Sequence, residues 1–99
     1  MLEIEVVRIE GYCPVYKVGD KIVIKGPEIS LSDTDALCQH ALPTILHYSV
    51  ALDHGVDPVK LGLTTSDDRE HAYVQCLDPK EPYTHGGTVL FRFRRISQD

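Results

Sequence analysis

The sequence predicts an α+β fold of order β-β-α-β-β, a small, mainly antiparallel sheet or open barrel with one main helix packed on it. Four short segments alternate apolar and polar residues, the two-residue period of a strand with one buried face. One stretch between them carries apolar residues at helical spacing and is bracketed by Pro43 and Gly55. The first and last alternating segments carry opposite charges on their polar faces. At 99 residues the chain makes a single domain, residues 1–99, long enough to bury one core without staples.

In the first strand Leu2, Ile4 and Val6 alternate with Glu3 and Glu5. Val6 and Val7 are then adjacent and Ile9 follows, so the phase slips; a bulge or burial on both faces accounts for it. Residues 11–20 form a connection: Pro14 lacks a ladder donor, and Val18-Gly19-Asp20 is turn chemistry. Residues 21–25 make a second strand with Ile22 and Ile24 inward, stopped by Gly26-Pro27. Ser32, Asp33, Thr34 and Asp35 offer capping oxygens, which predicts a short turn or helix from about Thr34 to Ala41. The main helix then runs from Pro43, whose missing N–H costs nothing in a first turn, to about His54, with Gly55 ending it. Leu42, Ile45, Leu46, Ser49 and Leu52 form the stripe expected to face the sheet. Residues 71–76 make a third strand with Ala72, Val74 and Cys76 on one face, and His85-Gly86-Gly87 is a turn. Thr88 to Arg94 closes the set, with Val89, Phe91 and Phe93 inward. Because the outward Glu3 and Glu5 complement the outward Arg92 and Arg94, the first and last strands are expected to be neighbours.

A net charge of −5 argues against nonspecific nucleic-acid binding, which needs a basic surface to release counterions. The Arg92, Arg94, Arg95 cluster reads as a solvated strand face. No basic-then-apolar leader opens the chain, and no apolar run approaches the ~18 residues of a membrane span. The expected address is the cytoplasm, where thiols stay reduced. No phosphate loop, dinucleotide fingerprint, zinc-protease or nucleophile-elbow pattern is present.

The chemistry-bearing residues are the three cysteines. Cys13 follows the first strand, Cys38 precedes the main helix and Cys76 ends the third strand, so all three sit at ends of elements that a sheet can gather at one rim. An odd number cannot pair fully, and no C-x-x-C motif exists. If the thiols converge, three thiolates with His40 or Asp78 as fourth donor suit zinc, and three thiolates with one open iron suit an iron–sulfur cluster. The bland alternative is that each packs as a small buried hydrophobe. A Cys38–His40 catalytic dyad is unconvincing, since residues two apart on a helix point away from each other. His40, His47 and His54 recur every seven residues, a row on one helix face too widely spaced for a single ion.

Taken together, Cys13-Pro14, Val18-Gly19-Asp20, Leu37-Cys38, Cys76-Leu77-Asp78-Pro79 and Thr88-Val89-Leu90-Phe91 resemble a family of short, uncharacterised prokaryotic proteins, mostly of anaerobes. The resemblance covers nearly the whole chain, and its most specific parts are the Cys-Pro and the Cys-x-Asp-Pro. It implies no reaction. It does imply that Cys13, Cys38 and Cys76 are shared features, which favours a ligand-binding role over packing. Leu77 stands where the family often has Pro, a departure that affects the turn and removes no ligand. The leading expectation is therefore a metal- or iron–sulfur-binding protein with ligands Cys13, Cys38, Cys76 and His40. Its rivals are an oligomerisation or protein-interaction module using the helix face of His47 and His54, and an enzyme whose cleft is lined by Asp78, Tyr83 and His85.

Overall fold

The computed structural model describes residues 1–97. Strands β1 (Leu2–Gly11), β2 (Lys21–Lys25) and β3 (Glu28–Ile29) are followed by helix α1 (Leu42–Asp53) and strands β4 (His71–Gln75) and β5 (Gly86–Arg95). The strands form one open antiparallel sheet in the order β3-β2-β1-β5-β4. The α+β class holds, and so does the neighbourhood of the first and last strands. Glu3 lies opposite Arg94 and Glu5 opposite Arg92. The Arg94 and Arg92 guanidinium groups donate to these carboxylates at 3.2 and 3.3 Å.

Alternation sorts the two faces of the sheet. Leu2, Ile4, Val6, Ile22, Phe91 and Phe93 are buried on one side, where Ile45 and Leu52 of α1 meet them. Each large side chain so buried contributes roughly 1.5–3 kcal/mol. The slipped phase in β1 is a bulge: Val6 opposes Phe91 and Arg8 opposes Leu90, leaving Val7 as the extra residue. Beyond it β1 continues to Gly11, which pairs with Gly86.

Several expectations need correction. No helix forms between Thr34 and Ala41, and the turn expected there is confined to residues 39–41; a 3-10 turn at Leu31–Asp33 leads into irregular chain before it. The oxygens that would cap a helix serve the outer edge of β2, which β3 covers only at Ile24 and Lys25. The Lys21 N–H donates to the Asp35 carboxylate at 2.8 Å and the Val23 N–H to the Thr34 hydroxyl at 3.1 Å. Gly26-Pro27 does more than stop β2: with Gly26 at φ +59° it turns the chain into the two-residue strand β3. Gly86 and Gly87, expected in a turn, open β5.

Helix α1 carries Pro43 in its first turn, as read. Gly55, at φ +83°, donates its N–H to the Leu52 carbonyl while Val56 donates to Ala51, which satisfies two otherwise orphaned acceptors. The buried stripe is narrower than expected. Ile45, Ser49 and Leu52 face the sheet, whereas Leu46, about 100° round from Ile45, is exposed with Val50. The histidine row also dissolves, because His40 precedes α1 and His54 is its C-terminal cap.

Candidate functional site

In this antiparallel sheet the end of β1, the end of β4 and the start of β5 fall at the same edge. Three glycines make that edge unusually tight. Gly11 and Gly87 have φ of +83° and +97°, a region side chains rarely adopt. A Cβ on Gly11 would lie 2.8 Å from the Gly87 nitrogen, and one on Gly87 would run into the Tyr12 carbonyl oxygen. Gly86 faces Gly11 across the ladder. Backbones pass here at a distance only glycine allows, and the crossing presses Tyr12-Cys13 against the start of β5.

Around this crossing lies a cavity of about 400 Å³ whose wall includes Cys13, Cys38, Cys76, His40, Asp78 and Tyr16. Pro14, Val15, Ala41, Leu77 and Pro79 make the rest largely apolar, and no Lys or Arg lines it. All three cysteines, from three separate segments, therefore border one space.

Each is held differently. Cys76 extends the β4–β5 ladder, donating its N–H to the Val89 carbonyl at 3.1 Å. Its Sγ accepts the Val89 N–H at 3.2 Å, and the S–H is directed at the Gly87 carbonyl at 3.6 Å. Burial pushes the Cys76 thiol up, and the nearby Asp78, Cys13 and Cys38 add to the rise. Cys13 Sγ accepts the Tyr16 N–H at 3.3 Å. The Cys38 carbonyl accepts the N–H groups of Ala41 and Leu42 at 3.1 and 3.0 Å, so this residue starts the turn that opens α1. The Cys38 N–H donates to the Tyr16 hydroxyl at 3.0 Å.

The two candidate fourth donors differ in their commitments. Asp78 accepts from the hydroxyls of Thr84 and Thr88, the latter at 2.6 Å, and from the Lys80 N–H at 3.4 Å. The threonine hydroxyls, chiefly, hold its carboxyl below the usual carboxylate range. Its oxygens tie the loop after β4 to β5. His40 stands exposed at the mouth. Among the described residues no three His, Cys, Asp or Glu side chains stand in the geometry of a formed metal site, and the three cysteines are free.

The cleft expected from Asp78, Tyr83 and His85 does not form. Tyr83 is 81% exposed, His85 stands in solvent 3.4 Å from Glu81, and neither borders the cavity. Tyr16 and the glycine crossing are the site residues that sequence reasoning missed. Gly86-Gly87 was a visible signal, but its partner Gly11 was not. Nothing local marks that the Tyr16 hydroxyl reaches Cys38.

A second concavity, about 450 Å³ and mainly apolar, runs between α1 and the β2–β3 hairpin along Ile24, Pro27, Ile29, Leu46 and Val50.

Fold and site together define a small α+β protein with a thiol-lined pocket at one end of an open antiparallel sheet. No protein-family model, curated protein or solved structure matches the chain. The resemblance drawn from the Cys-Pro and Cys-x-Asp-Pro segments thus stands on those residues alone. Among the described residues no helix is long and apolar enough to cross a membrane.

Proposed function

We propose that this is a small prokaryotic, cytoplasmic metal-binding protein whose pocket takes a soft metal ion on Cys13, Cys38 and Cys76, with His40 as fourth ligand. The observation that carries the reading is that three cysteines from distant segments border one cavity while two of their sulfurs accept backbone N–H groups. Such donors favour the thiolate form that a metal requires. Three thiolates and an imidazole suit zinc; the same three thiolates with one open iron are the iron–sulfur alternative. The ligand loops must draw inward on binding, with the exposed His40 swinging over the mouth.

The chain's own chemistry sets the pH dependence. Cys76 is a protonated thiol held above its ordinary range, so its proton leaves as the sulfur becomes a ligand. Affinity therefore falls as pH falls. The role is structural: ligation ties the loops after β1 and β4 to the start of α1. Purification without oxygen, followed by elemental analysis and an absorption spectrum, tests it. About one zinc per chain and no visible bands is the expected result. Iron with visible charge-transfer bands selects the cluster. No metal even after reconstitution overturns the reading.

A second reading, a protein-interaction or self-association module, draws on the exposed Leu46 and Val50 beside the apolar groove. It predicts a concentration-dependent mass in sedimentation that Leu46→Glu abolishes. A monodisperse monomer at high concentration refutes self-association.

A further inference from the structure

The three thiols are not equally anchored. Cys76 belongs to the sheet: its N–H and its Sγ both bond to Val89 of β5. Cys13 and Cys38 lie outside every strand and helix. What joins them is Tyr16. Its backbone N–H donates to Cys13 Sγ at 3.3 Å, and its hydroxyl accepts the Cys38 N–H at 3.0 Å. Its ring is 3% exposed and stands edge-on to Phe91, a core residue of β5, with centroids 5.4 Å apart. One residue thus ties both loops to the core: its backbone N–H holds the Cys13 thiol, its hydroxyl holds the Cys38 backbone and its ring packs on Phe91.

We propose that Tyr16 is the positioning residue of the thiol pocket, holding the Cys13 and Cys38 loops over the sheet-borne Cys76 so that the three sulfurs can act on one ion. The proposal rests on the metal-binding reading above. Partners that orient ligands without touching the metal typically govern affinity by about 10–100-fold. The hydroxyl accepts the Cys38 N–H and so fixes where the Cys38 backbone sits.

The test compares wild type with Tyr16→Phe, which keeps the ring on Phe91 and removes only the hydroxyl. Co²⁺ serves as the probe, with Zn²⁺ in competition. Tyr16→Phe is expected to bind Co²⁺ about 10–100-fold more weakly, with altered visible bands. In the metal-free protein, hydrogen exchange at the Cys38 amide and alkylation of its thiol should accelerate while Cys76 stays protected. Ile45→Val, a core truncation away from these bonds, controls for general softening and should leave the cobalt spectrum unchanged. Equal cobalt affinity and spectrum in Tyr16→Phe, with unchanged Cys38 exchange, overturns the proposal.

If wild type takes up no metal, the metal-binding reading falls. Selective acceleration at Cys38 then still supports the Tyr16 clamp, and uniform or absent change defeats it. Should Tyr16→Phe not fold, wild type decides: a Cys38 amide that exchanges as slowly as core amides supports the clamp, and a fast one overturns it.

Discussion

On its outer face the sheet spends its polar side chains on one another, whereas at its loop end it leaves sulfur and hydroxyl groups facing a cavity. Glu3 is paired with Arg94 at 3.2 Å and with Lys21 at 3.6 Å, and Glu5 with Arg92 at 3.3 Å. Nearby, Asp68 accepts from the Tyr73 hydroxyl and pairs with His71, both at 2.7 Å. Charges cancelled in water offer a ligand little. The pocket has no Lys or Arg, and two of its sulfurs bond to backbone amides that cannot swing away. Surface charge, abundant in this sequence, is thus a poor guide to where it acts; close backbone geometry is a better one.

The sharpest way to break this contrast is to disturb that geometry. Gly87→Ala puts a methyl against the Tyr12 carbonyl at φ +97°. Strain and collision together should cost about 2–4 kcal/mol, read as a lower denaturant midpoint, and metal uptake should be lost. Gly26→Ala has positive φ but open space around the added methyl. It should cost only about 1 kcal/mol and leave the pocket intact. Equal losses in the two variants would mean that backbone strain alone, and not the crossing, organises the rim.

Next comes the chemistry without the fold. Cys38→Ser should lower zinc affinity by at least about 100-fold, beyond the usual cost of losing a merely orienting partner. The metal-free protein should change by no more than about 1 kcal/mol, because Cys38 is only partly buried. Competition with a chromophoric chelator and parallel urea unfolding separate the two quantities. A large stability loss with unchanged affinity would return Cys38 to the role of a packing residue.

These contrasts also explain what could be read from the sequence. The alternation around Phe91 and Phe93 and the charges of Glu3 and Arg94 are local signals, and the fold followed them. Placement of the cysteines at element ends was also visible, because it needs only element boundaries. The fate of Thr34 and Asp35 was not: the same oxygens cap a helix or a strand edge, and only the uncovered N–H groups of Lys21 and Val23 decide. Leu46 was misread because which line of α1 meets the sheet is set by packing, not by periodicity. Tyr16 escaped notice because its two bonds join segments that meet only in the folded chain.

Titration probes the loop end at smaller amplitude. The Asp78 carboxyl is depressed in the fold, so its contribution is present above the ordinary carboxylate range and is lost as pH falls through the lowered folded value. Asp78→Asn should flatten the acid side of the stability–pH curve. Cys76 acts in the opposite direction. Its thiol is raised, so the unfolded chain releases that proton first and metal-free stability declines as pH climbs past the ordinary thiol range of about 8.5. Cys76→Ala should remove that alkaline decline. Urea midpoints measured across pH check both signs, and an alkaline decline that persists in Cys76→Ala would show that another group causes it.

The smallest effect belongs to the outer face. Glu5 and Arg92 are opposite one another on β1 and β5, and each is about a third exposed. A pair so placed exchanges water contacts for a screened attraction, worth about 0.2–1 kcal/mol. A double-mutant cycle with Glu5→Gln and Arg92→Gln should return a coupling in that range, shrinking as salt is raised because the Debye length falls from about 10 Å at 0.1 M to about 3 Å at 1 M. Neither variant should alter metal uptake, since neither residue borders the thiol cavity. A coupling that survives 1 M salt would show that the pair is shielded from solvent, and a change in zinc affinity in either single variant would show that the outer face and the loop end are energetically joined and that the contrast between them is drawn too sharply.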